Sequence, residues 1–206
     1  MIWSIPILFA VTLHEVAHGW MAKQLGDRTA EMMGRLTVNP IKHIDPVGTV
    51  VVPLILLMLG GFIFGWAKPV PVDWNQLRKP KRDMALVALA GPAANLLMVF
   101  FWLAIAKLAV VLANDAESVA NLFIFMAWAG VIINSLLMIL NLFPLPPLDG
   151  SRVLFSVLPA QLATHYIKIE PYGLIILLVL FATGVLGKIL GPVIYGFQHL
   201  IFSLVV

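Results

Sequence analysis

Apolar residues run in long unbroken stretches along this chain, and polar residues gather between them. The stretches fall at 2–22, 47–66, 84–113, 120–143 and 172–190, with a short apolar tail at 192–206. Each of the five is close to the ~20 residues that a helix needs to cross the ~30 Å hydrocarbon core of a bilayer. They do not alternate apolar and polar positions in the period of two that marks a barrel strand. Lipid offers no hydrogen bonds, so every backbone group inside it needs a partner within a helix or a closed barrel. The pattern predicts an all-α polytopic membrane protein with about five to six membrane segments.

Composition sharpens that reading. Hydrophobic residues make up 61% of the 206 positions and charged residues 11%, against roughly 45–50% and about 25% in soluble domains. A chain this short cannot hide so much apolar surface in one soluble core, so the lipid bilayer is its expected partner. The net charge of +3 does not point to nucleic acid, because the basic residues sit in two loops, as membrane-flanking charge does. The absence of cysteine removes disulfides, thiolate nucleophiles and sulfur ligands from consideration. The run from Ile2 to Leu13 lacks a basic leader and a small-residue cleavage site, so it reads as a first transmembrane helix. No repeat or soluble insert interrupts the chain, and residues 1–206 are expected to form a single domain.

Loop charge sets an orientation. Residues 23–46 carry Lys23, Arg28, Arg35 and Lys42, and residues 67–83 carry Lys68, Arg78, Lys79, Lys81 and Arg82. The loop at 114–119 carries Asp115 and Glu117 and no basic residue. The positive-inside tendency places the first two loops in the cytoplasm and the acidic one outside. Segment 47–66 lies between two cytoplasmic loops, so it cannot cross once. Pro53 and Gly60-Gly61 weaken a straight helix there. The alternative is that 47–66 spans normally and one basic loop lies outside, but a re-entrant or membrane-surface hairpin is expected. The helices at 2–22 and 120–143 then run parallel, both ending toward the cytoplasm. Arg152, His165, Lys168 and Glu170 break the apolar pattern of 150–170, which is expected as a cytoplasmic surface helix.

The chemistry starts at His14-Glu15-Val16-Ala17-His18. Two histidines four residues apart project from one helix face, one turn from each other. They can share one zinc ion, while Glu15, about 100° round the helix, reaches a water beside it. Ionisable residues at membrane depth are costly and point to function. His14 lies nine residues before Lys23, on the order of 13 Å below the cytoplasmic boundary at ~1.5 Å per residue. A catalytic zinc takes three protein ligands and keeps a fourth position open. Asp149, in NLFPLPPLDG at 141–150, is the candidate third ligand. Pro144, Pro146 and Pro147 should unwind the chain there and turn its carboxylate into the bundle. His43, His165 and His199 are isolated and read as interfacial or structural residues.

Together HEVAH at 14–18, GWAKPVPVD at 65–73, AGPAAN at 90–95 and NLFPLPPLDGSRV at 141–153 resemble the site-2 protease family of intramembrane zinc metalloproteases. The likeness is to its compact prokaryotic branch, without PDZ or CBS domains. The resemblance implies one catalytic zinc held by His14, His18 and Asp149, with Glu15 as general base. It assigns Asn141 and Asn95 to substrate backbone or oxyanion binding. Pro147-Leu148-Asp149-Gly150 stands where the family usually has Asn-Pro-Asp-Gly, so the aspartate is kept while the turn before it differs. The resemblance also implies short β elements within 29–43 at the cytoplasmic interface, and a multi-pass protein of the prokaryotic cell membrane. Its implied substrates are single-pass membrane proteins already trimmed by another protease, such as anti-sigma factors or signal-peptide remnants. A zinc-binding membrane transporter is the alternative, and it would call for internal repeats and ligands strung along a path.

Overall fold

The computed structural model describes residues 2–58, 65, 67–111 and 117–204. Five of its helical stretches are long and apolar enough to cross a membrane: Ser4–Leu25, Pro80–Val111, Val119–Asn141, Ala160–Ala182 and Val185–Phe202. The protein is an all-α polytopic membrane protein.

The first helix, α1 (Ser4–Leu25), shows the inverted logic of a protein dissolved in lipid. Its buried positions are small or polar: Ala10, Thr12, His14, His18, Gly19 and Ala22. Its exposed positions are large and apolar, among them Ile5, Leu8, Phe9 and Trp20. Contact with lipid costs an isoleucine nothing, whereas close helix packing needs small side chains. The helix ends at Gly26, whose φ of 119° is open to glycine and strained for other residues. Asp27 follows, fully buried, and its carboxylate accepts from Thr29 N at 2.8 Å and Asp73 N at 2.8 Å. A short helix, α2 (Thr29–Met32), comes next. Its Glu31 pairs with Lys23 at 2.6 Å and Arg28 at 2.7 Å, which hold that carboxyl below the ordinary range.

The β element expected within 29–43 is not found, for no strand occurs among the described residues. Local bonds take its place. The Asn39 side chain accepts from Ile41 N at 3.1 Å and starts a 3₁₀ turn, Pro40–His43. His43, buried, reaches back to Thr37 O at 2.9 Å. Side chains that bond to nearby backbone compete with sheet ladders in this way.

The segment expected to avoid a single crossing begins with a π-type turn, Pro46–Val51, and α3 (Val52–Met58). These 13 helical residues would span about 20 Å, short of the bilayer core. The chain leaves at His43 and returns to it, because Lys68 N donates to His43 O at 2.9 Å. The second basic loop then lies against the end of α1, with Arg78 N donating to Leu25 O at 3.1 Å. Both basic loops therefore sit at one end of the bundle. The expected bend at Gly60-Gly61 lies outside the described residues, as do Asp115 and the centre of the acidic loop.

Helices α4 (Pro80–Val111) and α5 (Glu117–Asn141) form an antiparallel pair against which α1 packs. Trp102 of α4 lies over Gly130 of α5, where a Cβ would come within 2.4 Å of the indole ring. Val99, Ala106, Ala127, Val131 and Ile201 complete that core. After α5 the chain passes through Pro144, Pro146 and Pro147 into α6 (Asp149–Val157) and α7 (Ala160–Tyr166). The single surface helix expected over 150–170 is thus two helices divided at Leu158-Pro159, the second of which opens the stretch Ala160–Ala182 that is long and apolar enough to cross a membrane. The first of them packs on α4, burying Gly150 and Ser151.

A 3₁₀ stretch, Ile167–Tyr172, leads to α8 (Gly173–Ala182) and α9 (Val185–Phe202). The apolar run expected at 172–190, with a separate tail from 192, therefore divides elsewhere. The break is at Gly184, whose φ is +72°, and the tail continues α9. Pro192 is tolerated inside α9, and hydropathy alone cannot see a break between two equally apolar helices.

The shared end of the two basic loops gives a direct test. Val38 and Arg78 are both exposed, and the chain has no cysteine of its own. Single cysteines at 38 and 78 should be modified by an impermeant maleimide from the same face of the membrane. Labelling from opposite faces would contradict the returning path of 44–67.

Candidate zinc centre

His14 and His18 leave α1 on the face that meets α4, and α4 is built to receive them. A Cβ on Gly91 would lie 2.6 Å from His14 Cε1 and closer still to His18. Only glycine leaves room for two imidazoles against the α4 backbone. His18 Nδ1 then lies 2.7 Å from the carbonyl of Val87, one turn before Gly91. His14 Nδ1 lies 2.6 Å from Oδ1 of Asn95, one turn after it. The spacing in AGPAAN thus has a physical meaning: a notch for both rings, with a fully buried amide one turn on.

These contacts fix the tautomers. A carbonyl only accepts, so His18 must carry its proton on Nδ1. Asn95 Nδ2 donates to Ala10 O at 3.2 Å, which turns Oδ1 toward His14. His14 therefore also donates from Nδ1. In both neutral rings Nε2 is left as a bare lone pair, the form in which histidine binds metal.

Asp149 arrives from the opposite side. The proline segment is held by the apolar cluster of Met138, Ile139, Leu148, Leu177, Leu186 and Leu190. Asp149 stands in the first turn of α6, where the helix dipole favours a carboxylate. Its Oδ2 lies 3.1 Å from His14 Nε2 and 3.3 Å from His18 Nε2, and the two nitrogens are 3.0 Å apart. A tetrahedral zinc ion with bonds of ~2.0–2.1 Å would set its ligands about 3.3 Å apart. Oδ2 is buried without a hydrogen-bond partner. With each Nδ1 taken up by a carbonyl oxygen, the two Nε2 atoms and Oδ2 converge as three ligand atoms that one cation would satisfy. The residues fit zinc.

Glu15 borders the same cavity, and its Oε2 accepts from Val70 N at 2.7 Å. Val70 lies between Pro69 and Pro71, so its N–H is the one backbone donor in that tripeptide. Leu36 and Val70 approach α1 closely at Gly19, where a Cβ would lie 2.7 Å from Val70 Cγ1. Arg35, 8% exposed, donates to the carbonyl of Lys68 at 2.9 Å and holds the segment in place. The cavity has a volume of about 610 Å³, and Asn141, Arg152 and Trp74 stand on its wall. Asn141 spends one amide hydrogen on Leu137 O at 3.0 Å. Arg152 pairs with Glu170 and lies 5.7 Å from the centre of the Trp74 ring.

The structure thus brings His14, Glu15, His18, Asp149 and Asn141 to one cavity. It places Asn95 behind His14, with both amide groups engaged by protein atoms. His43, His165 and His199 stay apart, and His14, His18 and Asp149 form the one metal-capable cluster among the described residues. Sequence reasoning gave no role to Gly91 or Val70. A glycine one turn from a buried asparagine was a readable signal for the first, but Val70 meets Glu15 across 55 positions and left none.

Comparison with known proteins agrees with the geometry. The sequence profile described as "Peptidase family M50" matches residues 2–111 and 102–183. The chain belongs to peptidase family M50, the site-2 protease family. "Putative zinc metalloprotease YwhC" of Bacillus subtilis is 38% identical over 97% of this chain and 89% of its own length. "Putative zinc metalloprotease Rip2" of Mycolicibacterium smegmatis is 30% identical, over 92% of this chain and 70% of its own. Its namesake in Mycobacterium tuberculosis is 29% identical over 91% and 69%. No solved structure matches. This M50 protein is a zinc metalloendopeptidase of the membrane, and neither the family nor the single convergent site favours a transporter.

The Gly91 notch yields a sharp expectation. Gly91→Ala should lower the zinc content of the purified protein at least tenfold, the scale of second-shell effects on metal sites, while the helix content stays unchanged by circular dichroism. Full zinc occupancy in that variant would contradict the packing described.

Proposed function

We propose that this protease cleaves peptide bonds in or beside transmembrane helices of single-pass membrane proteins, with residues 1–206 acting as one unit. The observation that carries the reading is the wall of the cavity. Glu15 and the three ligands share it with Val11, Leu137, Leu140 and Leu177, side chains suited to an apolar substrate segment. A substrate helix shields its own amides by hydrogen bonding, so it enters as a locally unwound stretch.

His14, His18 and Asp149 hold the metal in this proposal. Zinc, when bound, supplies Lewis acidity toward the scissile carbonyl and the attacking water. Glu15 takes the water proton and delivers it to the leaving amine. Val70 N–H occupies one carboxylate oxygen of Glu15 and leaves the other for that transfer. Asn141 has a second amide hydrogen to offer the oxyanion. Asn95 acts on His14, not on substrate. Arg152, at the cavity wall, is held by Glu170 and Trp74.

The two basic loops at one end of the bundle support a cavity that opens toward the cytoplasm of a prokaryotic cell. Substrates of the class of anti-sigma factors or signal-peptide remnants, already trimmed by another protease, fit that geometry. They leave a short membrane-held segment for this enzyme.

Glu15→Gln should keep one zinc per chain and lose cleavage of a single-pass model substrate by at least 10²-fold, the lower range of general acid–base contributions. Small membrane fragments should accumulate in cells carrying that variant and be identified by proteomics. Undiminished cleavage would refute the proposed role of Glu15.

A further inference from the structure

Asn134 has no part in the chemistry described so far, yet it is a fully buried amide in the middle of α5. Its Nδ2 donates to Gly130 O at 2.8 Å. That carbonyl can only accept, so the amide cannot be turned round, and Oδ1 is aimed away from its own helix. Oδ1 receives Asn95 Nδ2 at 2.9 Å, a shorter contact than the 3.2 Å from the same nitrogen to Ala10 O. Asn95 Oδ1 in turn faces His14 Nδ1 at 2.6 Å. Each link fixes the orientation of the next.

We infer that Asn134 is a positioning residue for the metal centre, acting through Asn95 to hold His14 with its proton on Nδ1 and its Nε2 lone pair toward the ion. The inference rests on the proposed zinc ligand set. The relay runs from α5 through α4 to α1, and α5 is the helix that leads through the proline segment to Asp149. One chain of amides therefore registers the helix carrying His14 against the helix that delivers Asp149. Nothing apolar could do this, because a packed methyl group has no preferred direction for a proton. Burial also makes each unmet partner costly, so the three groups stand or fall together.

The test is zinc affinity of the full chain in nanodiscs, measured by competition with a chelator, together with the visible spectrum of the cobalt-substituted protein. Asn134→Leu removes the amide at nearly constant volume and should weaken zinc binding about tenfold, at the low end of second-shell effects. Its cobalt spectrum should shift as His14 loses its fixed orientation. Asn134→Asp, neutral in its buried setting, keeps an acceptor for Asn95 and a donor for Gly130 O, and should stay within about twofold of the parent. Asn95→Ala combined with Asn134→Leu should bind zinc no more weakly than Asn95→Ala alone, since the second residue acts only through the first. Parental affinity in Asn134→Leu, equal losses in the Leu and Asp variants, or losses that multiply in the double variant would each overturn the inference. If the Leu variant does not fold, Asn134→Ala removes the same amide and is read in the same way. His14→Ala is the control for the ligand set: if it retains parental zinc affinity, the site reading fails and not the relay.

Discussion

Two imidazole nitrogens and a carboxylate oxygen stand about 3 Å apart in this protein, each ring held through its other nitrogen by a carbonyl oxygen. A cation at their centre would satisfy all three atoms, and the surrounding fold keeps them in place. The Val87 carbonyl and the Asn95 amide fix where the ring protons sit. Gly91 surrenders its side chain so that both rings can lie against α4. Three prolines break the chain after α5, and an apolar cluster holds the broken segment so that Asp149 faces the rings. Each of these features costs helix stability or packing on its own, and each is explained by the same three atoms.

The membrane sets the terms on which this is done. Large apolar side chains of α1 face outward and its packed face is left to small residues and the ligands, while the other helices also bury large side chains such as Trp102 and Leu177. A polar group placed there needs a partner, and the Gly130–Asn134–Asn95–His14 series supplies partners across three helices. Close packing gives way at the cavity beside Glu15, which borders the candidate metal ligands. Its wall is completed by the Ala67–Asp73 segment, which comes back into the bundle between Gly19 and Arg35 and sets the Val70 amide on Glu15.

Much of this could be read from the chain before any fold was known. The four-residue spacing of His14 and His18 is a local property of one helix, so it survives without tertiary information. Asp149 was legible because three prolines beside a lone carboxylate at membrane depth have few other uses. The spans at 4–25, 80–111 and 119–141 followed from hydropathy, and the meeting of the two basic loops at one end of the bundle followed from loop charge. What stayed hidden was non-local. Asn95 meets His14, Ala10 and Asn134 across 81, 85 and 39 positions, contacts that no local pattern displays. Asn134 lies seven residues, about two turns, before Asn141 on one helix face, which was a usable signal that only contact with Asn95 makes specific. The break at Gly184 lies between two apolar helices, and the turn Pro40–His43 starts from an Asn39 side-chain cap that a β-branched pattern conceals.

The central claim is that His14, His18 and Asp149 together hold one zinc ion, and zinc K-edge absorption on the purified protein tests it most directly. The account predicts one zinc per chain with a nitrogen and oxygen shell at ~2.0–2.1 Å, outer-shell imidazole scattering and no sulfur. It further predicts that Asp149→Ala loses an oxygen neighbour and most of the bound metal. Zinc without imidazole scattering, or an unchanged spectrum and stoichiometry in Asp149→Ala, would contradict it.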